Sequence, residues 1–207
     1  MAIIRATVNG ISRHRILSDG KGVTTLVALK GCTLTCKYCL NPQNLHRLES
    51  TKDITPQELL HVVLIDDLYF RATGGCVCFG GGEPLLYSDF IREFKLISPS
   101  YWKITIETSL NVEINLRNIA PLVDLFIVDC KDINSRIYKS YTGKDNSKVI
   151  SNLQELSRMG ITDKVLIRVP LIYGYNREGD QHSSVSILKK WGFKQFDLFE
   201  YIVPTLL

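Results

Sequence analysis

Six apolar, β-branched runs punctuate the chain, at 23–29, 75–79, 103–107, 123–129, 164–169 and 197–203. They are continuous rather than alternating, the pattern expected of parallel strands covered on both faces. Helix-like segments lie between them. Thr55-Pro56-Gln57-Glu58 reads as a capping box with proline at the first helical position, and predicts a helix running towards Arg71. Further helices are predicted at 88–97, 112–120, 147–159 closed by Gly160, and 181–191 closed by Gly192. Strands alternating with helices predict an α/β fold with right-handed crossovers, either a doubly wound sheet or an incomplete barrel. At 207 residues the chain is short for an eight-stranded barrel, which takes about 250. In both architectures function gathers at the carboxyl ends of the strands.

Composition narrows the classes. With 45% apolar and 22% charged residues the chain is neither disordered nor collagen-like. A chain of this length buries about 70% of its unfolded surface, so the core needs no staple and a metal site would be functional. The net charge of +4 comes without a basic run, so no nucleic-acid footprint is visible. No apolar stretch approaches the roughly 20 residues of a membrane span, and residues 1–10 lack a signal layout. The expectation is a cytoplasmic protein with no membrane partner, forming a single domain over 1–207. No linker or repeat divides it.

Three of the six cysteines fall within eight residues, and a reducing compartment opposes disulfides. Gly31-Cys32-Thr33-Leu34-Thr35-Cys36-Lys37-Tyr38-Cys39 places three thiols in one loop after the first predicted strand. With His46 as a fourth ligand they would make a Cys3His zinc site. A cubane [4Fe–4S] cluster takes one cysteine per iron, so three would leave one iron open for chemistry. Cys76, Cys78 and Cys130 lack a further paired motif and read as small buried hydrophobes, and the four histidines show no metal spacing.

The Cys-x3-Cys-x2-Cys spacing, with an aromatic before the last cysteine, resembles the signature of the radical S-adenosylmethionine (radical SAM) enzymes. Other landmarks of that family follow in order. Phe79-Gly80-Gly81-Gly82-Glu83-Pro84 resembles the GGE motif that receives the methionine amino group of SAM. Glu107-Thr108-Ser109 and Asp129-Cys130-Lys131 resemble positions near the ribose and carboxylate of the cofactor. Ile167-Arg168-Val169-Pro170, with Gly174-Tyr175-Asn176, resembles a segment whose arginine holds the methionine carboxylate. The resemblance implies an incomplete (β/α)6 TIM-like barrel of parallel strands. It also implies a [4Fe–4S] cluster held by Cys32, Cys36 and Cys39, and a SAM site formed by Tyr38, Asn41, Gly81, Gly82, Glu83, Glu107, Ser109, Asp129, Lys131 and Arg168.

Within the family the chain resembles the activating enzymes of glycyl radical enzymes. Ser18-Asp19-Gly20-Lys21-Gly22 is similar to their S-x-D-G-P-G motif and Cys39-Leu40-Asn41-Pro42-Gln43 to their C-x-N-P continuation. Tyr141-Thr142-Gly143, with Asn152-Leu153, is similar to their Y-T-G and N-L segment. Lys21 replaces a proline, Thr24 stands where an arginine is common, and Leu110 occupies the place of a glycine. The implied activity is reductive cleavage of SAM to a 5′-deoxyadenosyl radical that abstracts hydrogen from a glycine of a partner glycyl radical enzyme. A flavodoxin or ferredoxin-type reductant is implied as a second partner. Two alternatives stand beside it: a radical SAM enzyme acting on a small molecule or ribosomal peptide, and a non-catalytic zinc-binding module.

Overall fold

The computed structural model describes residues 3–16, 18–42 and 51–201. They cluster into two compact units. The first holds 3–16, 18–32, 51–108 and 117–126, and the second 33–42, 109–116 and 127–201. No helix among the described residues is long and apolar enough to cross a membrane.

The first unit contains β1 (Ala6–Ile16), β2 (Val23–Leu29), β3 (Lys52–Ile54), α1 (Pro56–Val63), α2 (Asp67–Thr73), β4 (Cys76–Gly81), α3 (Ser88–Ile97) and β5 (Lys103–Thr108). Its strand order is β3-β1-β2-β4-β5. β2, β4 and β5 pair in parallel, whereas β1 is antiparallel to both β2 and β3. The apolar runs mark β2, β4 and β5 but not β1, which is buried only at Ala6 and Val8, then alternates half-buried with exposed positions and carries Asn9, Ser12, Arg13, His14 and Arg15. A search for continuous apolar runs does not find a strand wet on one side. Its register shifts between Ser12 and Arg15, where His14 takes a φ of 54°.

The capping box forms as expected: Glu58 N donates to Thr55 Oγ1 at 3.2 Å and Thr55 N to Glu58 Oε2 at 2.6 Å. The single helix expected towards Arg71 is instead two, separated by a tight turn at Leu64–Asp66. The reason is Asp66. Its carboxylate is buried and accepts from Thr25 Oγ1 at 2.9 Å and from the Arg13 guanidinium, which draws the turn inward. The core of this unit centres on Phe70, Phe79, Phe94 and Trp102, with edge contacts at 5.1 and 5.4 Å between ring centroids.

The strand β6 (Leu125–Asp129) begins in the first unit and ends in the second. The second unit adds α4 (Ser135–Thr142), α5 (Ser147–Arg158), β7 (Val165–Leu171), α6 (Glu178–Lys190) and β8 (Gln195–Glu200), in the strand order β6-β7-β8. β7 and β8 are parallel, with Arg168 opposite Asp197. The helix α4 was not expected. The helix expected at 112–120 is absent: the segment forms a loop followed by short turns at Leu116–Asn118 and Ala120–Leu122. Pro121 removes a backbone donor there, and Leu110 enters the segment at a φ of 56°. The last predicted strand extends to 203; residues 202–203 lie outside the described set.

Buried Asp132 organises the turn after β6. Its carboxylate accepts from Asn134 N at 2.8 Å, Asn176 Nδ2 at 3.2 Å and Ser184 Oγ at 3.3 Å, and burial lifts its pKa. Asn176 in turn accepts from Ile172 N at 2.5 Å and donates to Pro170 O at 3.0 Å. The Gly174-Tyr175-Asn176 segment thus fixes the chain leaving β7.

Candidate active site

In the first unit, Cys32 follows β2 and the GGE segment follows β4. Gly82 N donates to Leu29 O at 2.9 Å and Glu83 N to Gly31 O at 2.7 Å, so the GGE turn is zipped to the chain entering the cysteine loop. A Cβ at Gly82 would lie 2.1 Å from Gly31 O and 2.8 Å from Leu29 O. The missing side chain therefore serves backbone-to-backbone approach. Gly81 takes a φ of 87°, which favours glycine. Glu83 is buried, and its Oε1 accepts from Leu85 N at 3.2 Å and Thr108 Oγ1 at 2.6 Å. It caps the turn Pro84–Tyr87. Half-buried Glu107 fills the room left by Gly80, whose Cβ would sit 3.1 Å from Glu107 Oε2.

The Ser18 to Gly22 segment is held by charge. Asp19 is fully buried and takes the Arg15 guanidinium through two nitrogens, one at 2.7 Å, while Thr24 Oγ1 donates to it at 3.3 Å. Arg15 and Thr24 are opposite each other in the ladder. The guanidinium missing at Thr24 is supplied from across it.

In the second unit the cysteine loop is gripped by the end of α4. Thr35 N donates to Thr142 O at 3.0 Å and Lys37 N to Tyr141 O at 3.1 Å; Cys39 N closes a turn on Cys36 O at 3.3 Å. Gly143 ends α4 at a φ of 78°, and a Cβ there would lie 2.6 Å from Thr35 Oγ1. The helix-terminal carbonyls that need outside donors find them in the loop. This grip was missed from the residue pattern; its only signal was the Tyr141-Thr142-Gly143 segment.

Cys36 and Tyr38 pack on a cluster formed by Tyr141, Ile172 and Tyr201. The Tyr38 ring meets Tyr141 and Tyr175 edge-on, at 6.0 and 5.8 Å. Buried Lys131 pairs with Asp129 and lies 5.1 Å above the Tyr201 ring. Burial works against its ammonium, but the Asp129 carboxylate more than offsets this and holds the pKa above the usual lysine range. Asp129 Oδ1 is buried and makes no hydrogen bond among the described residues. Asn41 is exposed. Ser109 Oγ accepts from Asn111 N at 3.3 Å, and Arg168 Nε lies 3.5 Å from Asp197.

The described geometry thus groups Gly81, Gly82 and Glu83 with the chain entering Cys32, and Cys36 and Tyr38 with the cluster under which Lys131 and Asp129 lie. Ser109 and Arg168 are held by other neighbours. None of the six cysteines is in a disulfide, and Cys32, Cys36 and Cys39 are half-buried. No three His, Cys, Asp or Glu side chains among the described residues converge to hold a metal ion. His46, the fourth ligand of the zinc reading, lies outside the described residues.

A model of the radical SAM superfamily matches residues 26–182. The chain belongs to the radical SAM superfamily. It is 35% identical over 153 residues to the pyruvate formate-lyase-activating enzyme of Clostridium pasteurianum, covering 73% of this chain and 63% of that protein. It is 29% identical over 170 residues to the enzyme of the same name from Staphylococcus aureus strain USA300, covering 78% of this chain and 67% of that one. The chain therefore spans about two thirds of the length of these relatives. A crystal structure of Streptococcus suis SuiB bound to S-adenosylmethionine superposes with a TM-score of 0.66 at 16% identity, over 85% of this chain and 40% of that one. That likeness shows the shared α/β fold.

Membership implies a [4Fe–4S] cluster and SAM, and the donor sets fit both. Cluster thiolates bind separate irons and need no convergence on one ion, which suits three partly exposed thiols on a gripped loop. An orphaned buried carboxylate oxygen, as at Asp129, suits a ligand bearing hydroxyl donors.

Proposed function

We propose that this radical SAM enzyme activates a partner protein by abstracting hydrogen from a glycine Cα. A bound cluster would supply one-electron reduction of the SAM sulfonium, with a flavodoxin or ferredoxin-type protein as the electron source, so that cleavage of the S–C5′ bond would give methionine and the 5′-deoxyadenosyl group that takes the hydrogen. The chain's own residues bind and aim. Cys32, Cys36 and Cys39 would hold the cluster through three thiolates, one fewer than its irons, which would leave a position open to SAM. The Gly81-Gly82 turn, shaped by Glu83, lines the amine side. Asp129 Oδ1 and Ser109 accept from the ribose hydroxyls, and Glu107 is a further cofactor contact. Lys131 and Arg168 supply positive charge towards the carboxylate, and Tyr38 with Asn41 contact the adenosine. Much of the catalytic gain from such a site is orientation, worth about 7–11 kcal/mol in favourable cases.

The supporting observation is the cysteine loop itself: three thiols outside any disulfide, on a turn fixed by the carbonyls of Tyr141 and Thr142. Similarity to two pyruvate formate-lyase-activating enzymes supports the glycyl target. The test is anaerobic reconstitution with iron and sulfide, reduction, and incubation with SAM and a candidate glycyl radical enzyme. The expected results are 5′-deoxyadenosine and a glycyl radical signal in the partner by EPR. 5′-Deoxyadenosine without a protein radical would redirect the chemistry to a small molecule or peptide. One equivalent of zinc and no iron would reject the radical reading.

A further inference from the structure

The loop that follows β5 is built under backbone strain and held from one side. Leu110 is fully buried at a φ of 56°, in the left-handed region that a branched side chain rarely occupies. Such conformations persist where the surroundings over-determine them. Here the surroundings are two side-chain amides. Asn152, buried on α5, donates through Nδ2 to Leu110 O at 2.9 Å and to Val112 O at 2.8 Å. Asn111, also buried, donates through Nδ2 to Asp145 O at 2.9 Å and Tyr138 Oη at 3.2 Å. Asn152 thus pins the carbonyl of the strained residue and the carbonyl two positions on, one on each side of Asn111. The turn begins at Ser109, whose hydroxyl accepts from Asn111 N at 3.3 Å.

We propose that Asn152 is a positioning residue for SAM. By clamping the carbonyls of Leu110 and Val112 it holds Ser109 in the orientation that meets the ribose. This rests on the placement of Ser109 at SAM made above. Asn152 touches no reacting atom, so its effect falls on SAM affinity and not on the rate once SAM is bound.

The experiment uses the reconstituted full chain and three readouts: hydrogen–deuterium exchange of the 109–112 amides without SAM, the SAM dissociation constant, and 5′-deoxyadenosine formation at saturating SAM. Losing two backbone-directed hydrogen bonds predicts that Asn152→Ala weakens SAM binding about tenfold, with the saturated rate within about twofold. Exchange of the 109–112 amides should accelerate by a similar factor. Glycine accepts the left-handed conformation without penalty. Leu110→Gly combined with Asn152→Ala should therefore recover most of the lost affinity relative to Leu110→Gly alone. If Asn152→Ala fails to assemble a cluster, Asn152→Asp takes its place, since it keeps the volume and replaces the donor with an acceptor facing two carbonyls. Unchanged exchange at 109–112 overturns the proposal. Faster exchange with unchanged SAM affinity overturns it as well, and Ser109→Ala then locates the fault. A silent Ser109→Ala means that Ser109 does not contact SAM, whereas a damaging one means that only the coupling through Asn152 is wrong.

Discussion

Two sets of three cysteines occupy this chain, and their surroundings differ sharply. Cys32, Cys36 and Cys39 lie half-buried on a loop beyond the strand ends. Cys76 and Cys78 point into the interior from β4, and Cys130 is buried just after β6. Burial pushes the Cys76 thiol up to about 11 and raises those of Cys78 and Cys130 well above the ordinary thiol range. A metal ligand must be a thiolate, so desolvation keeps the interior set protonated and inert. The loop set keeps partial access to solvent while main-chain bonds fix its position. Ligand capacity here follows from where the strand ends, not from the number of thiols.

The largest effect should come from exchanging the two sets in mutagenesis. Alanine at Cys32, Cys36 or Cys39 is expected to abolish 5′-deoxyadenosine formation and cut cluster absorbance, with the fold retained. Alanine at Cys130 should leave iron content unchanged and cost about 1–2 kcal/mol of stability, the usual range for a small buried truncation. Iron analysis and denaturant titration read both sides. A Cys130 variant that lost its cluster would break the contrast.

The next effect concerns what fixes the loop. At its entry, Gly82 lies so close to Gly31 that a methyl group collides with backbone at 2.1 Å. At its grip by α4, Gly143 faces the Thr35 side chain at 2.6 Å from a left-handed backbone. Backbone cannot step aside as a threonine side chain can. Gly82→Ala should therefore cost about 3 kcal/mol or more. Gly143→Ala should cost about 1–2 kcal/mol, mainly the left-handed penalty. Denaturant midpoints of the apo chain should fall in that order, and the reverse order would show that the α4 contact is the stiffer one.

A third test is pH. The Cys76 thiol has a folded value of about 11 against an ordinary 9.0, burial being the main cause. The folded state therefore holds its proton in a range where the unfolded chain has released it. The stabilisation is fully present below pH 9 and is lost as pH rises through 11, a fall of about 3 kcal/mol for this group alone. Cys76→Ala should flatten the stability curve between those values by that amount.

Much of this was legible in the sequence, and what was not has identifiable causes. β2, β4, β5 and β7 declared themselves as short runs rich in apolar and β-branched residues, most of them buried or half-buried. β1 stayed hidden because half of it faces away from the core. The helix expected at 112–120 failed for a local and a non-local reason: Pro121 removes a backbone donor, and Asn152, some 40 positions away, takes the carbonyls of Leu110 and Val112. The cysteine loop and the glycine turn were readable as motifs. Their physical supports, the carbonyls of Tyr141 and Thr142 and the zipper between Gly31 and Glu83, are main-chain contacts that no side-chain pattern encodes. Glu83 was readable from its motif, whereas its neighbours, Leu85 N and Thr108 Oγ1, emerge only in the fold.

The smallest effect is expected at Arg168, and its sign is informative. Asp129 offers an oxygen without a hydrogen bond, whereas Arg168 already stands by a carboxylate, Asp197, across the β7–β8 pair. Binding the methionine carboxylate would exchange one anionic partner for another. Only the difference between two partly exposed ion pairs remains, about 0.5–1 kcal/mol, so Arg168→Ala should raise the SAM dissociation constant about two- to fivefold. Asp129→Asn, which disturbs the Lys131 pair as well, should do more. If the exchange is real, Asp197→Ala removes the competitor and tightens SAM binding by a similar small factor. Weaker binding in that variant would mean that Asp197 orients Arg168 towards the ligand rather than competing for it. No change in either variant would leave the β7–β8 ion pair as a structural contact and take Arg168 out of the SAM site.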